Sequence, residues 1–146
     1  MIKTFRGQLT DGQQERIRLE HRDGKVGYRI KKFQGISSQP GQLDLETVLK
    51  VYSIEQTAVD GEVDFNEQTM LAVCYFKDYG TNDNQPSPQT IIFDGVVFNQ
   101  DIFITHSEVR SNKTSNYYLE LETVSLDDVE ATAVILKNFR NTNTVV

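Results

Sequence analysis

The run His106-Ser107-Glu108 holds the three residue types of a base, nucleophile and acid relay. In an extended segment, adjacent side chains point to opposite faces, so Ser107 would stand away from the other two. The nucleophile elbow that presents a catalytic serine is also missing. No catalytic residue is assigned, no enzyme activity is expected, and His106 is expected at the surface or at a strand end. A second cluster, Asp60-Gly61-Glu62-Val63-Asp64-Phe65-Asn66-Glu67, gathers oxygen ligands of the kind that hold hard cations. Its glycine comes second and no glutamate falls at the twelfth position, so it does not fit a calcium-binding helix–loop–helix. It reads as an acidic solvated turn, with a weak cation site as the lesser alternative. Asn82-Asp83-Asn84 invites the same comment.

Other chemistry-bearing residues lead no further. The glycines are scattered and form no phosphate-cradling loop. Cys74 is the single cysteine, so no intrachain disulfide can form, and one Cys with two His makes a poor zinc set. It sits in Leu71-Ala72-Val73-Cys74-Tyr75-Phe76 and reads as a small core residue. Lack of disulfides fits a reducing compartment. Asn112-Lys113-Thr114 matches a glycosylation sequon, but Met1–Arg6 shows no apolar signal core, so the match reads as chance. Tyr117-Tyr118 with Tyr75, Phe76 and Tyr79 could make a stacking platform, although aromatics at strand spacing more often fill a core. No metal and no cofactor is expected.

The elements that would carry these residues are short strands. Their length fits one domain, 1–146, large enough to bury a core without staples. Tyr117–Thr123 alternates with Tyr117, Leu119 and Leu121 on one face and Tyr118, Glu120 and Glu122 on the other, the pattern of a half-buried antiparallel strand. Further strands are predicted at Lys3–Leu9, Glu15–His21, Lys25–Phe33, Thr47–Glu55 (with a short helix as the alternative there, since its alternation is imperfect), Thr69–Lys77, Ile91–Phe98 and Asp101–His106, with a short one possible at Val63-Asp64-Phe65. Thr69–Lys77 holds the most continuous apolar run in the chain, as in a strand buried on both faces. Asp11-Gly12 marks a turn, and Asp23-Gly24 is the strongest hairpin signal in the chain. In Lys25–Phe33, Val26, Tyr28, Ile30 and Lys32 share a face, and Gly27 marks a bulge or a close approach. Gly35–Leu43 reads as a loop, and Asp78–Gln89 as a polar, proline-bearing tip. Near the C-terminus the period changes to 3.6. A helix is predicted over about 126–140, capped by Ser125, with Leu126, Val129, Ala133 and Leu136 as its apolar stripe and Ile135 and Phe139 beside it. The fold class is mainly β: an antiparallel β-sandwich, jelly-roll or immunoglobulin-like, with one C-terminal helix.

Charge narrows the partners. A net charge of −6 and a pI near 4.9 argue against a general nucleic-acid binder. No run of about 18 apolar residues is present to span a membrane. The basic stretches Arg16–Arg22 and Lys25–Lys32, which carry Arg16, Arg18 and Arg29, read as a solvated hairpin face or, alternatively, as a dock for an acidic protein. With Asn82, Asp83, Asn84 and Pro86 of the polar tip, Arg16, Arg18 and Arg29 are the candidate partner contacts.

Five segments carry a resemblance: Ile91-Ile92-Phe93-Asp94-Gly95-Val96-Val97-Phe98-Asn99-Gln100-Asp101-Ile102-Phe103-Ile104-Thr105-His106, then Asn116-Tyr117-Tyr118-Leu119-Glu120-Leu121-Glu122, and the opening Phe5-Arg6-Gly7-Gln8-Leu9 with Arg16-Ile17-Arg18-Leu19 and Gly27-Tyr28-Arg29-Ile30. From Phe5 to Arg140 the chain resembles short virion-associated proteins of tailed bacteriophages of marine and freshwater bacteria. The resemblance implies a virion component made in the host cytoplasm, a capsid decoration (cement) protein that contacts the major capsid protein or other virion proteins and forms homo-oligomers. Other virion roles, in the tail, an adaptor or host attachment, and a small ligand-binding β domain or enzyme remain alternatives. No functional residue is carried over.

Overall fold

A computed structural model describes residues 1–41, 44–79, 88–93, 95–110 and 112–144, with side chains for all of these except 78, 79 and 138–144. The strands are β1 Ile2–Leu9, β2 Gln14–Ile17, β3 Val26–Ser37, β4 Asp44–Tyr52, β5 Met70–Tyr79, β6 Gln89–Ile92, β7 Ile102–Glu108 and β8 Ser115–Ser125. They are followed by the helix α1, Asp128–Thr144. A three-stranded antiparallel sheet in the order β1-β8-β3 packs on a five-stranded one in the order β2-β7-β4-β5-β6. The molecule is the β-sandwich with one C-terminal helix that the strand pattern predicts.

Period-2 patterning explains the core. Tyr117, Leu119 and Leu121 of β8 point inward with Phe33 and Ile30 of β3, and meet Leu49 and Val51 of β4, Ala72 and Cys74 of β5, and Ile102 and Ile104 of β7. Burial pushes the Cys74 thiol pKa up, as befits a core residue. β5 is buried on both faces, as its apolar run predicts. Behind it, Met70 and Val73 join Val48 and Tyr52 in a second cluster on the outer face of the five-stranded sheet. Glycines set the sheet spacing at two points. A Cβ on Gly35 would lie 2.5 Å from Leu49 Cδ1, and one on Gly27 would lie 2.9 Å from Val97 Cγ1. Gly27 is thus a close approach. The bulge falls at Lys31 instead, where the β3–β8 register slips between Ile30 and Lys32. That extra residue turns Lys32 outward and Phe33 inward, against the simple alternation.

The Asp23-Gly24 hairpin does not form. β2 pairs with β7 and β3 pairs with β8, so the two segments belong to different sheets. The turn itself exists, with Gly24 at φ 68° and its N–H on the His21 carbonyl. It carries the chain from one sheet to the other, because β2 ends at Ile17, not His21. The predicted strand Ile91–Phe98 also divides. β6 stops at Ile92, Gly95 turns at φ 78°, and Phe98 exchanges main-chain hydrogen bonds with Tyr28 of the other sheet. Val63-Asp64-Phe65 is a turn, in which the Asp64 side chain accepts the Asn66 amide. The predicted loop at Gly35 begins later, since β3 runs on to Ser37.

The helix is capped by Asp127, whose Oδ1 accepts the Glu130 N–H at 2.8 Å, and not by Ser125. That hydrogen bond holds the Asp127 carboxyl below its ordinary range. Its buried side is also not the predicted one. Ala131 is buried and Val134 and Ile135 are half-buried, whereas Val129 and Leu136 are 78% and 60% exposed. The helix therefore shows an apolar stripe to the outside. Among the described residues, no helix is long and apolar enough to cross a membrane.

Candidate functional site

The crossing segment between Ile92 and β7 leaves a cleft beside the helix. Phe93 still bonds the Leu71 carbonyl of β5, but Phe98 is drawn toward Tyr28, so Gly95–Gln100 leaves the five-stranded sheet beside a cavity of about 270 Å³. Its walls are largely apolar, with Phe65, Met70, Phe93, Val96, Phe98 and Val134 among them. Phe65 meets Phe93 edge to face, with ring centroids 5.4 Å apart, yet remains 56% exposed at the mouth. Glu67, Gln68, Gln100 and Lys137 supply polar groups at the lining.

The floor is rigid. Asn99 is fully buried, and its Nδ2 donates to the Gly24 carbonyl at 3.0 Å and to the Ala131 carbonyl at 3.4 Å. One side chain thereby ties the cleft, the Asp23-Gly24 turn and the helix together. Lys25 Nζ reaches Asp128 at 3.0 Å and the Leu126 N–H bonds the Lys25 carbonyl, so the turn also seats the start of the helix. The strongest hairpin signal in the sequence thus serves as the helix dock. Nothing in the local sequence marks the cleft, since its walls come from segments some 70 residues apart in the chain.

The residues that sequence chemistry singles out do not converge here. His106 and Glu108 face the interior of the sandwich, while Ser107 faces outward against Gly61. His106 is not at the surface: it is fully buried, and among the described residues neither ring nitrogen meets a partner in hydrogen-bonding geometry. Burial lowers its pKa, against the pull of the Asp11 and Glu108 carboxylates and the Thr10 carbonyl. Glu108 is a structural acceptor, taking the amides of Glu46, Arg110 and Asn112 at 2.8, 2.9 and 2.8 Å. Nearby, the Tyr117 hydroxyl donates to Glu15 Oε2 at 2.6 Å and joins the two sheets. Burial, with that carboxylate, raises the phenol pKa.

The acidic turn has a structural task. Lys50, on the outer face of β4, is buried, and its Nζ contacts Asp60 Oδ1 at 3.3 Å and donates to the Glu62 carbonyl at 2.5 Å. The oxygen-rich segment therefore closes over a buried ammonium. Among the described residues, no group of three His, Cys, Asp or Glu side chains is placed to hold a metal. Lys50→Ala is expected to lower the unfolding free energy by about 2 kcal/mol, through lost stem packing and an unpaired carbonyl. Asp60→Ala should cost well under half of that, because Asp60 is mostly exposed and its charge is screened. Urea denaturation of the two variants checks the order.

The candidate partner contacts are dispersed. Arg16 binds Asp101 through Nε at 2.7 Å and Nη2 at 2.6 Å, on the five-stranded sheet. Arg29 lies on the outer face of the three-stranded sheet, 3.8 Å from Glu122. Arg18 lines a shallow open groove with Lys3, Phe5, Leu19, His21 and Tyr28. No hairpin joins the two basic stretches, and Arg16 and Arg29 lie on different sheets. Asn82, Asp83, Asn84 and Pro86 lie outside the described residues. The aromatic platform is likewise divided: Tyr117 and Phe76 are in the core, Tyr118 is on the outer face of β8, and the Tyr75 hydroxyl donates to Glu46. No protein-family model matches the chain, and no curated protein is significantly similar to it.

Proposed function

We propose that this chain is a structural protein of a tailed-phage virion, a capsid decoration protein that docks through the cleft beside its helix. The observation that carries the docking is the cleft itself, an apolar recess floored by a fixed asparagine, with Phe65 exposed at its mouth. The same helix also leaves Val129 and Leu136 exposed on its solvent side, a second apolar feature of this region. A volume of about 270 Å³ falls below the roughly 300–1,000 Å³ usual for small-molecule sites. It suits one anchoring side chain of a partner protein, the kind of contact that dominates protein interfaces. The virion placement comes from the sequence resemblance, and an acidic surface suits a position outside the shell, away from packaged DNA.

The test is quantitative mass spectrometry of particles assembled from the genome that encodes the chain. The expected result is a copy number matching the capsid lattice, with Phe65→Ala lowering occupancy at least tenfold while the purified variant stays folded. A few copies per particle would move the protein to a vertex, portal or tail position. Its absence from particles would overturn the virion reading.

A further inference from the structure

We infer that a second copy of this chain pairs with β1, joining two three-stranded sheets across a two-fold axis. β1 is an eight-residue strand that hydrogen-bonds β8 on one side, and among the described residues no strand lies on its other side. The Thr123 amide bonds the Met1 carbonyl, which sets the phase of that ladder. Odd residues of β1 therefore point their main-chain groups at β8, and Ile2, Thr4, Arg6 and Gln8 point theirs at the open edge. Such an edge is a template for another strand.

The side chains favour the strand's own copy and fix its register. With Thr4 opposite Arg6 of the second copy, and Ile2 opposite its Gln8, the whole of Ile2–Gln8 is paired and the two-fold passes through Phe5. On the inner face, the two Phe5 rings then meet as a close non-hydrogen-bonded pair, and each Lys3 stands opposite Gly7, beside the Tyr117 ring that packs over that glycine. Phe5 is only half-buried within one chain, and an open groove runs beneath it. On the outer face, Arg6 has no ion pair among the described residues, while Glu120 of β8 stands beside Thr4. The register brings Arg6 of one copy next to Thr4 of the other, within reach of its Glu120, twice over by symmetry. Sliding the strands by one step in one direction would put Arg6 against Arg6, which like-charge repulsion disfavours. The step in the other direction shortens the ladder.

This inference stands apart from the virion reading, since docking through the cleft needs no β1 contact. Sedimentation equilibrium of the full chain over a wide concentration range tests it. The expected result is a dimer of twice 16.7 kDa. Thr4→Pro removes an outward N–H while sparing the ladder to β8, as edge strands tolerate, and should weaken dimerisation at least tenfold. Arg6→Glu should do the same, and adding Glu120→Arg should restore the dimer. A monomer at every concentration would overturn the inference. So would an oligomer whose size neither Thr4→Pro nor Arg6→Glu changes.

Discussion

Asp101→Ala is expected to lower the unfolding free energy by about 3 to 4 kcal/mol, because a buried acceptor of two amides and a guanidinium is removed. The carboxylate stands at the entry to β7 and is buried. Its Oδ1 accepts the amides of Leu19 and Glu20 at 2.7 and 3.0 Å, and its Oδ2 takes the Arg16 guanidinium. Those contacts stop β2 after Ile17. Beyond that residue the chain leaves the sheet, and its donors need an acceptor that water cannot reach. Leu19 fills the core at the same step. Burial alone would raise the carboxyl pKa, but the two amides and Arg16 outweigh it and hold the group below the ordinary carboxylate range. Arg16 is half exposed, so Arg16→Ala should cost less than about 1 kcal/mol. Urea melts of both variants separate the roles. If Arg16→Ala proved as costly as Asp101→Ala, the ion pair and not the amide bonds would be the anchor.

Asp101 also shows where sequence reading stops. Strand patterning found the sandwich because each face of each strand answers to its immediate neighbours, and alternation records that directly. Tyr117, Leu119 and Leu121 are all buried as their spacing predicts. Which strand lies beside which is decided by contacts far apart in the chain. Asp23-Gly24 has the local chemistry of a hairpin turn, but the acceptor that ends the preceding strand is some 80 residues away at Asp101. A turn dipeptide fixes a reversal and not the partner. Likewise Lys32 sits in phase with Tyr28 and Ile30 until a bulge at Lys31 shifts it, and no residue type announces that bulge.

The helix and the cleft were legible in different degrees. The period of 3.6 and the acidic first turn located the helix to within a few residues. Its buried face differs from the predicted one because apolar residues occur on two sides, and the contacts with Gly24 and Asn99 beneath it select which side docks. The cleft depends on Phe98 leaving its own sheet to pair with Tyr28, a tertiary event without a local signature. Lys50 carries no local mark of its role for a related reason. A lysine in an apolar strand is readable as buried only once the Asp60–Glu62 turn is known to close over it. Arg16 was visible as a charge, yet its partner was not.

Acid is expected to destabilise the protein in two separate steps, of which the first belongs to His106. The ring is fully buried on the inner face of β7, opposite Leu49, and burial lowers its pKa below the ordinary 6.5. The folded protein therefore keeps the imidazole neutral at a pH where the unfolded chain already binds a proton. Stability is full above pH 6.5 and falls as the pH drops below it, with a slope that approaches about 1.4 kcal/mol per pH unit until the folded-state ring also titrates. Asp101 and Asp127 have the opposite linkage. Their folded pKa values lie below 3.8, so the stability they contribute is present above that pH and is lost as the pH falls through the folded values. The His106 step thus comes first on acidification. His106→Leu preserves an apolar fill and removes the proton acceptor, so its urea midpoint should stay level between pH 7.5 and pH 5 while that of the unsubstituted chain declines. Parallel decline of both would show that the acid response arises elsewhere and that the buried ring does not titrate on unfolding. The Asp11 and Glu108 carboxylates, which favour the charged ring, would then have offset its burial.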